Sequence, residues 1–357
     1  MARTFRVTRH HRTIISVGWG LLCRASFPDA RKLYIVADRR AWAHHGERFT
    51  ARLAEGGRAF QHLEIAGGER VKSWHRAAMI ADWLCREGAR RRDLVVAFGG
   101  GTITDLVGFV SACYMRGAPY ANVPTSLLAQ VDASIGGKVA VNRAEAKNLL
   151  GAFHHPRAVL VDPSLTLTQP RKAYIGGLAE AVKMAIIGEP DLFRFLEIHA
   201  AAVRLRSDPA SLLHVVRESV KRKLTLIGAD PWEDDLDRPL NLGHTLGHAL
   251  ESAVEYRRIT HGEAVSMGIA AATRLSMRGG LCTPRTGERI IGLLEALGLP
   301  TAPPEVGLAS LRHALETISL VRDGDLRFVV PVKVGRVRVL HETPVDDVLD
   351  ALVAPHG

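Results

Sequence analysis

The sequence predicts two domains: an α/β domain with a mainly parallel sheet over residues 1–165, then a mainly α-helical domain over residues 166–357. Three observations carry that expectation. A chain of 357 residues is long for one hydrophobic core and comfortable for two. The first half alternates short apolar runs with segments of helical period. From about residue 170 the apolar pattern lengthens into amphipathic stretches rich in Ala and Leu.

Taken in order, IISVGWGLLC (14–23) reads as a strand and a turn, too short to span a membrane. LYIVAD (33–38), FQHLEI (60–65), LVVAFG (94–99), YANVP (120–124) and AVLVD (158–162) are apolar runs closed by Gly, Pro or Asp, as strands are. Between them, WHRAAMIADWLCREG (74–88) has helical period. Such alternation argues for a parallel sheet with crossover helices. DPSLTLTQPRK (162–172) marks the boundary. Beyond it, residues 179–203, 210–228 and 262–280 repeat apolar positions at helical spacing, and LRFVVPV and RVRVL form a strand pair near the end.

Composition is ordinary for a globular chain, with 47% hydrophobic and 24% charged residues. The net charge of +10 is scattered, apart from RHHR (9–12) and ARRR (89–92), and aromatics make up only 6%. That weighs against nucleic acid and suits small anionic ligands. The four cysteines lack C-x-x-C spacing, so free thiols in a reducing, cytoplasmic setting are expected. No membrane partner is expected.

Several motifs can carry chemistry. Gly99, Gly100 and Gly101 follow a strand and open a helix that contains Asp105. Glycines there let backbone N–H groups approach a pyrophosphate, although the run is not G-x-G-x-x-G and also suits a tight turn. Asp38 ends the first clear strand, where a carboxylate can meet a ribose or simply close a turn. Residues 124–153 place Asp132, Lys138, Asn142, Lys147 and Asn148 among small apolar residues, an arrangement that can clamp a phosphate or a polyol. Glu180 and Lys183 share one face of an apolar helix. His244 and His248 are four apart, as in H-x-x-x-H metal sites, and His261 follows closely. Thr245 stands where the zinc-protease glutamate belongs, so the hydrolytic motif fails. Glu180, His244 and His261 can supply three ligands, and His244 with His248 is an equal reading. Spacing does not decide between them.

GGGTITDLVGF, YMRG, VPTSLLAQVDASIGGKVAVN, KNLLGAF, GLAEAVK, LNLGHTLGHALE and HGEAV occur in the order found in 3-dehydroquinate synthases. The chain resembles that family, part of the wider sugar-phosphate cyclases, from about residue 30 to 340. The resemblance implies a Rossmann-like dinucleotide-binding domain before a helical metal-binding domain, and a homodimer. It implies Glu180, His244 and His261 as ligands of Zn2+ or Co2+, with His248 as a catalytic histidine beside them. NAD would lie against Gly99, Gly100 and Gly101, with Asp38, Glu69, Lys72, Asp105, Thr125, Ser126 and Thr168 nearby. Lys183, Asn241, Asp132 and Lys223 match catalytic positions, and Lys138, Lys147 and Asn148 match substrate contacts. Arg116 matches an arginine that reaches the neighbouring subunit's substrate phosphate. The implied activity is conversion of 3-deoxy-D-arabino-heptulosonate 7-phosphate to 3-dehydroquinate and phosphate, by oxidation, elimination, reduction and aldol closure.

The departures concern the substrate. Asp237 stands seven residues before His244, where the family usually has the arginine that meets the substrate carboxylate, with Arg238 beside it as a substitute. TISLVRDGD (317–325) lacks the family's phosphate-binding lysine, and GGKVAVN lacks a hydroxyl. These losses suit a paralogue acting on a carboxylate-free sugar phosphate, such as sedoheptulose 7-phosphate. Valiolone-type cyclases usually replace the positions of Asn241 and His248, which this chain keeps, so dehydroquinate synthase activity is the leading expectation. An iron-type alcohol dehydrogenase would share the glycine run but would release reduced NAD.

Overall fold

The computed structural model describes residues 11–27, 30–143, 147–235, 237–254, 259–321, 326–341 and 343–353. It divides into two units, residues 1–124 with 136–162, and residues 125–135 with 163–357.

The first unit is built on a six-stranded sheet. Its elements are β1 (Ile14–Val17), β2 (Lys32–Asp38), α1 (Arg39–Glu55), β3 (Ala59–Ile65), α2 (Trp74–Arg86), β4 (Leu94–Gly99), α3 (Gly101–Cys113), β5 (Tyr120–Pro124), β6 (Lys138–Val141), β7 (Leu150–Phe153) and β8 (Ala158–Val161). The strand order is β1-β8-β5-β4-β2-β3, and every pair is parallel. Side chains alternate across the strands. Tyr34, Val36, Val95 and Ala97 join a core with Ile80 and Leu84 of α2 and Leu106 and Val107 of α3. Phe98 instead packs on Phe49 of α1, with ring centroids 5.3 Å apart. With both faces covered, the inner strands β2, β4 and β5 read as continuous apolar runs, which makes them visible in the sequence. β6 and β7 form a separate antiparallel pair within the stretch whose chemistry, not its shape, stood out in the sequence.

The second unit contains α4 (Arg171–Gly188), α5 (Pro190–Leu205), α6 (Pro209–Ala229), α7 (His244–Ala253), α8 (His261–Arg278), α9 (Pro284–Ala296), α10 (Leu308–Val321), β9 (Phe328–Lys333), β10 (Arg336–Leu340) and α11 (Val345–Val353). The strands β9 and β10 pair antiparallel, as expected. The amphipathic stretch 179–203 is two helices, because Pro190 begins a new one after Gly188. No described helix is long and apolar enough to cross a membrane.

The single boundary expected at 165/166 needs one correction: Thr125–Ile135 belongs with the helical unit. The reason is local packing. A Cβ on Gly177 of α4 would meet Leu128 N at 2.8 Å, and Gln169 Oε1 accepts the Leu127 N–H at 3.0 Å. Residues 129–133 form a π-helical turn that carries Asp132.

Helices α4, α7 and α8 approach through glycines. A Cβ on Gly262 would fall 1.9 Å from Gly176 O, and one on Gly268 would fall 2.0 Å from Gly243 O. Overpacking of this kind costs about 1–3 kcal/mol. Gly262→Ala is therefore expected to lower the unfolding free energy by that order, read as a lower denaturant midpoint at unchanged slope, and an unchanged midpoint would show that α4 and α8 part without cost.

Candidate active site

Both histidines expected to bind metal are the first residues of helices. Gly243, at φ 77°, turns the chain into α7 at His244. At α8, Thr260 and Glu263 make a reciprocal capping box around His261: Glu263 N donates to Thr260 Oγ1 and Thr260 N donates to Glu263 Oε2. Glu180 lies in the middle of α4, fully buried.

These three side chains converge. His244 Nε2 and His261 Nε2 each lie 3.6 Å from Glu180 Oε1, too far for hydrogen bonds. A tetrahedral ion with ligands at about 2.0–2.1 Å has its donor atoms roughly 3.3 Å apart, so the spacing suits one. Each imidazole is held from behind. His244 Nδ1 is 3.1 Å from Leu242 O, and His261 Nδ1 is 3.1 Å from Glu251 Oε2. Donation from Nδ1 leaves the Nε2 lone pair directed at Glu180. Among the described residues, two trios have spacing for a metal, Glu180–His244–His261 and His248–Glu251–His261. Neither contains both His244 and His248, whose rings stand 5.5 Å apart and nearly perpendicular.

Charged groups surround the trio. Lys183 Nζ lies 2.5 Å from Glu180 Oε2 and 3.7 Å from Asp132 Oδ2, and Lys223 Nζ lies 2.5 Å from Asp132 Oδ1. Burial would raise the carboxyl groups, but Lys183 and His244 hold Glu180 well below its usual range, and Lys183 and Lys223 lower Asp132. Burial would likewise lower Lys183, yet Asp132 and Glu180 raise it. His244 is pushed down to about 4 by burial and Lys183. At His261 burial is outweighed by Glu180 and Glu251, which together bring it up to about 10. Asn241 sits in the 3-10 turn Pro239–Asn241 just before α7.

In the first unit, Asp38 and Gly99–Gly101 stand at the carboxyl ends of β2 and β4. The strand order reverses between those two strands, the crevice where open α/β sheets bind ligands. Asp38 also caps α1, accepting from Arg40 N and Ala41 N at 2.9 and 3.1 Å. A Cβ on Gly99 would lie 2.6 Å from Ile103 Cγ1, so α3 starts hard against the strand. Its N-cap Gly100 provides no side-chain acceptor. Lys72 Nζ lies 2.5 Å from Asp105 Oδ2 and also bonds Asn148, while Asn142 Nδ2 donates to Glu69 Oε1 at 2.7 Å. Asn148, expected at the substrate, is thus joined to groups expected at the cofactor. Lys138 is exposed and Lys147 half-buried. Arg116 follows Met115 in a left-handed pair, at φ 63° and 49°.

Thr125 and Ser126 belong to the second unit, where Ser126 Oγ accepts from Ala129 N. In the same unit Thr168 donates to Leu165 O. Arg238 is committed elsewhere: its Nη1 lies 2.6 Å from Glu233 Oε2, and its Nε donates to Asp235 O at 2.5 Å. Asp237 pairs with Arg327 at 3.1 Å and His341 at 3.2 Å. The side chains of residues 319–325, where the family lysine is missing, lie outside the described residues. One functional candidate escaped the sequence reading. Glu251, seven residues after His244, shares its helix face, and that spacing was the available signal.

Family patterns for the 3-dehydroquinate synthase N-terminal and C-terminal regions match residues 62–176 and 177–318. The chain belongs to the 3-dehydroquinate synthase family. It is 41% identical to the 3-dehydroquinate synthase of Halorhodospira halophila, over 95% of each chain. It is 42% identical to the 2-epi-valiolone synthase of Actinosynnema mirum, over 91% of this chain and 86% of that one. Its structure matches the 2-epi-5-epi-valiolone synthase of Streptomyces hygroscopicus subsp. jinggangensis, solved with NAD+ and Zn2+, at a TM-score of 0.92 and 30% identity over 98% of each chain. This member of the family is a phosphate-eliminating sugar-phosphate cyclase.

The two trios share His261 and differ in His248, so two variants separate them. His261→Ala is expected to abolish stoichiometric metal, measured by elemental analysis after dialysis, while His248→Ala keeps metal and loses turnover. Equal metal loss in both would bring His248 into the ligand set.

Proposed function

We propose that this chain is an NAD- and divalent-metal-dependent cyclase that releases phosphate from a seven-carbon sugar phosphate without a carboxylate, such as sedoheptulose 7-phosphate. The observation that carries the choice of substrate is the pairing of Arg238 with Glu233 and of Asp237 with Arg327 and His341. Where a carboxylate-binding arginine is expected, the chain presents a carboxylate, and the adjacent guanidinium is already bound. A substrate carboxylate there would meet like charge, whereas a hydroxyl can donate to Asp237.

Glu180, His244 and His261 would hold Zn2+ or Co2+. NAD would lie over the glycine run at the start of α3, with Asp38, Glu69, Lys72 and Asp105 of the same unit around it. Bound together, these groups supply Lewis acidity and reversible hydride storage. The side chains of this protein do the positioning. Lys183 and Lys223, fixed by Asp132, offer ammonium groups to substrate oxygens, and Asn241 adds an amide. His248 is the proton carrier. Lys138, Lys147 and Asn148 bind the phosphorylated end. Arg116 would serve the site of a second copy in a homodimer, a role that rests on the likeness of its YMRG segment to the family's.

Dehydroquinate synthase activity is the second reading, favoured by the retention of Asn241 and His248 and by the Halorhodospira halophila relative. Phosphate release by the NAD- and zinc-loaded protein separates the two, with products identified by mass. Turnover of sedoheptulose 7-phosphate alone is expected. Turnover of 3-deoxy-D-arabino-heptulosonate 7-phosphate alone would reject the carboxylate-free substrate and show that Asp237 is tolerated.

The shared site has its own test. Mixed and reassociated Arg116→Ala and Lys183→Ala chains, each inactive alone, should regain about a quarter of wild-type turnover, because half the dimers are mixed and carry one intact site. No recovery in dimers shown to exchange would place Arg116 in its own subunit's site.

A further inference from the structure

We propose that Glu251 is a positioning residue of the metal centre, a buried carboxylate that sets the tautomer and donor strength of His261. The inference rests on the assignment of Glu180, His244 and His261 as ligands, and adds a residue to it. His244, His248 and Glu251 are spaced i, i+4 and i+7 on α7, so they line one face of that helix. The face meets the first residue of α8, where Glu251 Oε2 lies 3.1 Å from His261 Nδ1. Glu251 is 3% exposed, deep enough for this contact to escape competition with water.

The geometry is directional. His261 has two ring nitrogens, and Nε2 faces Glu180 Oε1 while Nδ1 faces Glu251. A carboxylate accepting the Nδ1–H places the lone pair on Nε2 and makes that nitrogen more basic. His244 has the weaker arrangement, a neutral backbone carbonyl from Leu242 behind its Nδ1. The two imidazoles are therefore unequal donors, and His261 is the one that Glu251 strengthens. Removing the carboxylate would leave His261 free to rotate or to place its proton on Nε2, and either change withdraws a ligand. The rival role for Glu251 is ligation of a separate ion with His248 and His261, which its position also allows.

The test uses the full-length protein, stripped of metal and reloaded. Zn2+ affinity is measured by competition with a chromophoric chelator, and the ligand field is read from the visible absorption of the Co2+ form. Wild type is expected to bind one ion per chain. Glu251→Gln should weaken affinity about 10- to 100-fold and shift the Co2+ bands, and Glu251→Ala should do more. Circular dichroism establishes that each variant is folded; if the alanine variant does not fold, the near-isosteric glutamine variant carries the test alone. Wild-type affinity and an unshifted Co2+ spectrum in folded Glu251→Gln would overturn the proposal. So would two ions per wild-type chain falling to one in the variant, which would make Glu251 a ligand. A wild-type protein that binds no ion would reject the metal centre itself, and this inference with it.

Discussion

The buried carboxylate of Glu180 is the constraint around which the helical unit is arranged. An ionised group removed from water costs several kcal/mol unless charge and hydrogen bonds are returned to it. Here the return extends over several elements. Lys223, Asp132, Lys183, Glu180, His261 and Glu251 follow one another as contacts of alternating sign. They come from α6, the 129–133 turn, α4, α8 and α7, so the chain of charges ties together segments far apart in sequence. The strongly raised His261 fits the alternation, because it lies between two carboxylates. With His261 protonated, three carboxylates face three cations; a bound divalent metal would take the place of that proton and leave His261 neutral as a ligand.

Such a chain of pairs works only if the helices come close, and glycine provides the approach. The Gly176–Gly262 contact brings α4 against the start of α8, next to His261. The Gly243–Gly268 contact presses the turn before His244 against α8. Backbone contacts of this kind leave little freedom to the residues beside them, so Nε2 positions are set by the main chain as well as by rotamers. Rigid presentation is what a ligand set needs, since an imidazole that moves by an ångström loses its ion or its selectivity.

Much of this was legible in the sequence, and the gaps have physical causes. The strands β2, β4, β5 and β8 could be read because each is an apolar run closed by Gly, Pro or Asp, and β3 through Phe60, Leu63 and Ile65 among its polar residues. The transfer of Thr125–Ile135 to the helical unit was not, since it depends on what Leu127 and Leu128 pack against rather than on a local break in composition. Glu180, His244 and His261 could be nominated, but spacing left His248 as an equal choice. Tertiary geometry alone shows which nitrogen faces which oxygen. Glu251 was hidden for the same reason: a glutamate at i+7 on an amphipathic helix looks like a solvated face until α8 is laid against it. The partner of Arg238 was hidden too, because Glu233 lies only five residues away in a loop whose turn no propensity reveals.

On the proposed reading, the pairs around Asp237 would bear on selectivity through desolvation rather than through attraction. To grip a substrate carboxylate, Arg238 would have to leave Glu233 and Asp235 O, exchanging charge-assisted bonds for others of the same kind with little net gain. Arg327 would likewise have to leave Asp237, stripping that carboxylate of a counter-charge just as a second anion arrived. A hydroxyl would impose neither loss, because Asp237 can accept its hydrogen bond while keeping Arg327 and His341. Discrimination of this kind needs no new contact for the favoured substrate. It arises from the repulsion and broken pairs that the disfavoured one would cause.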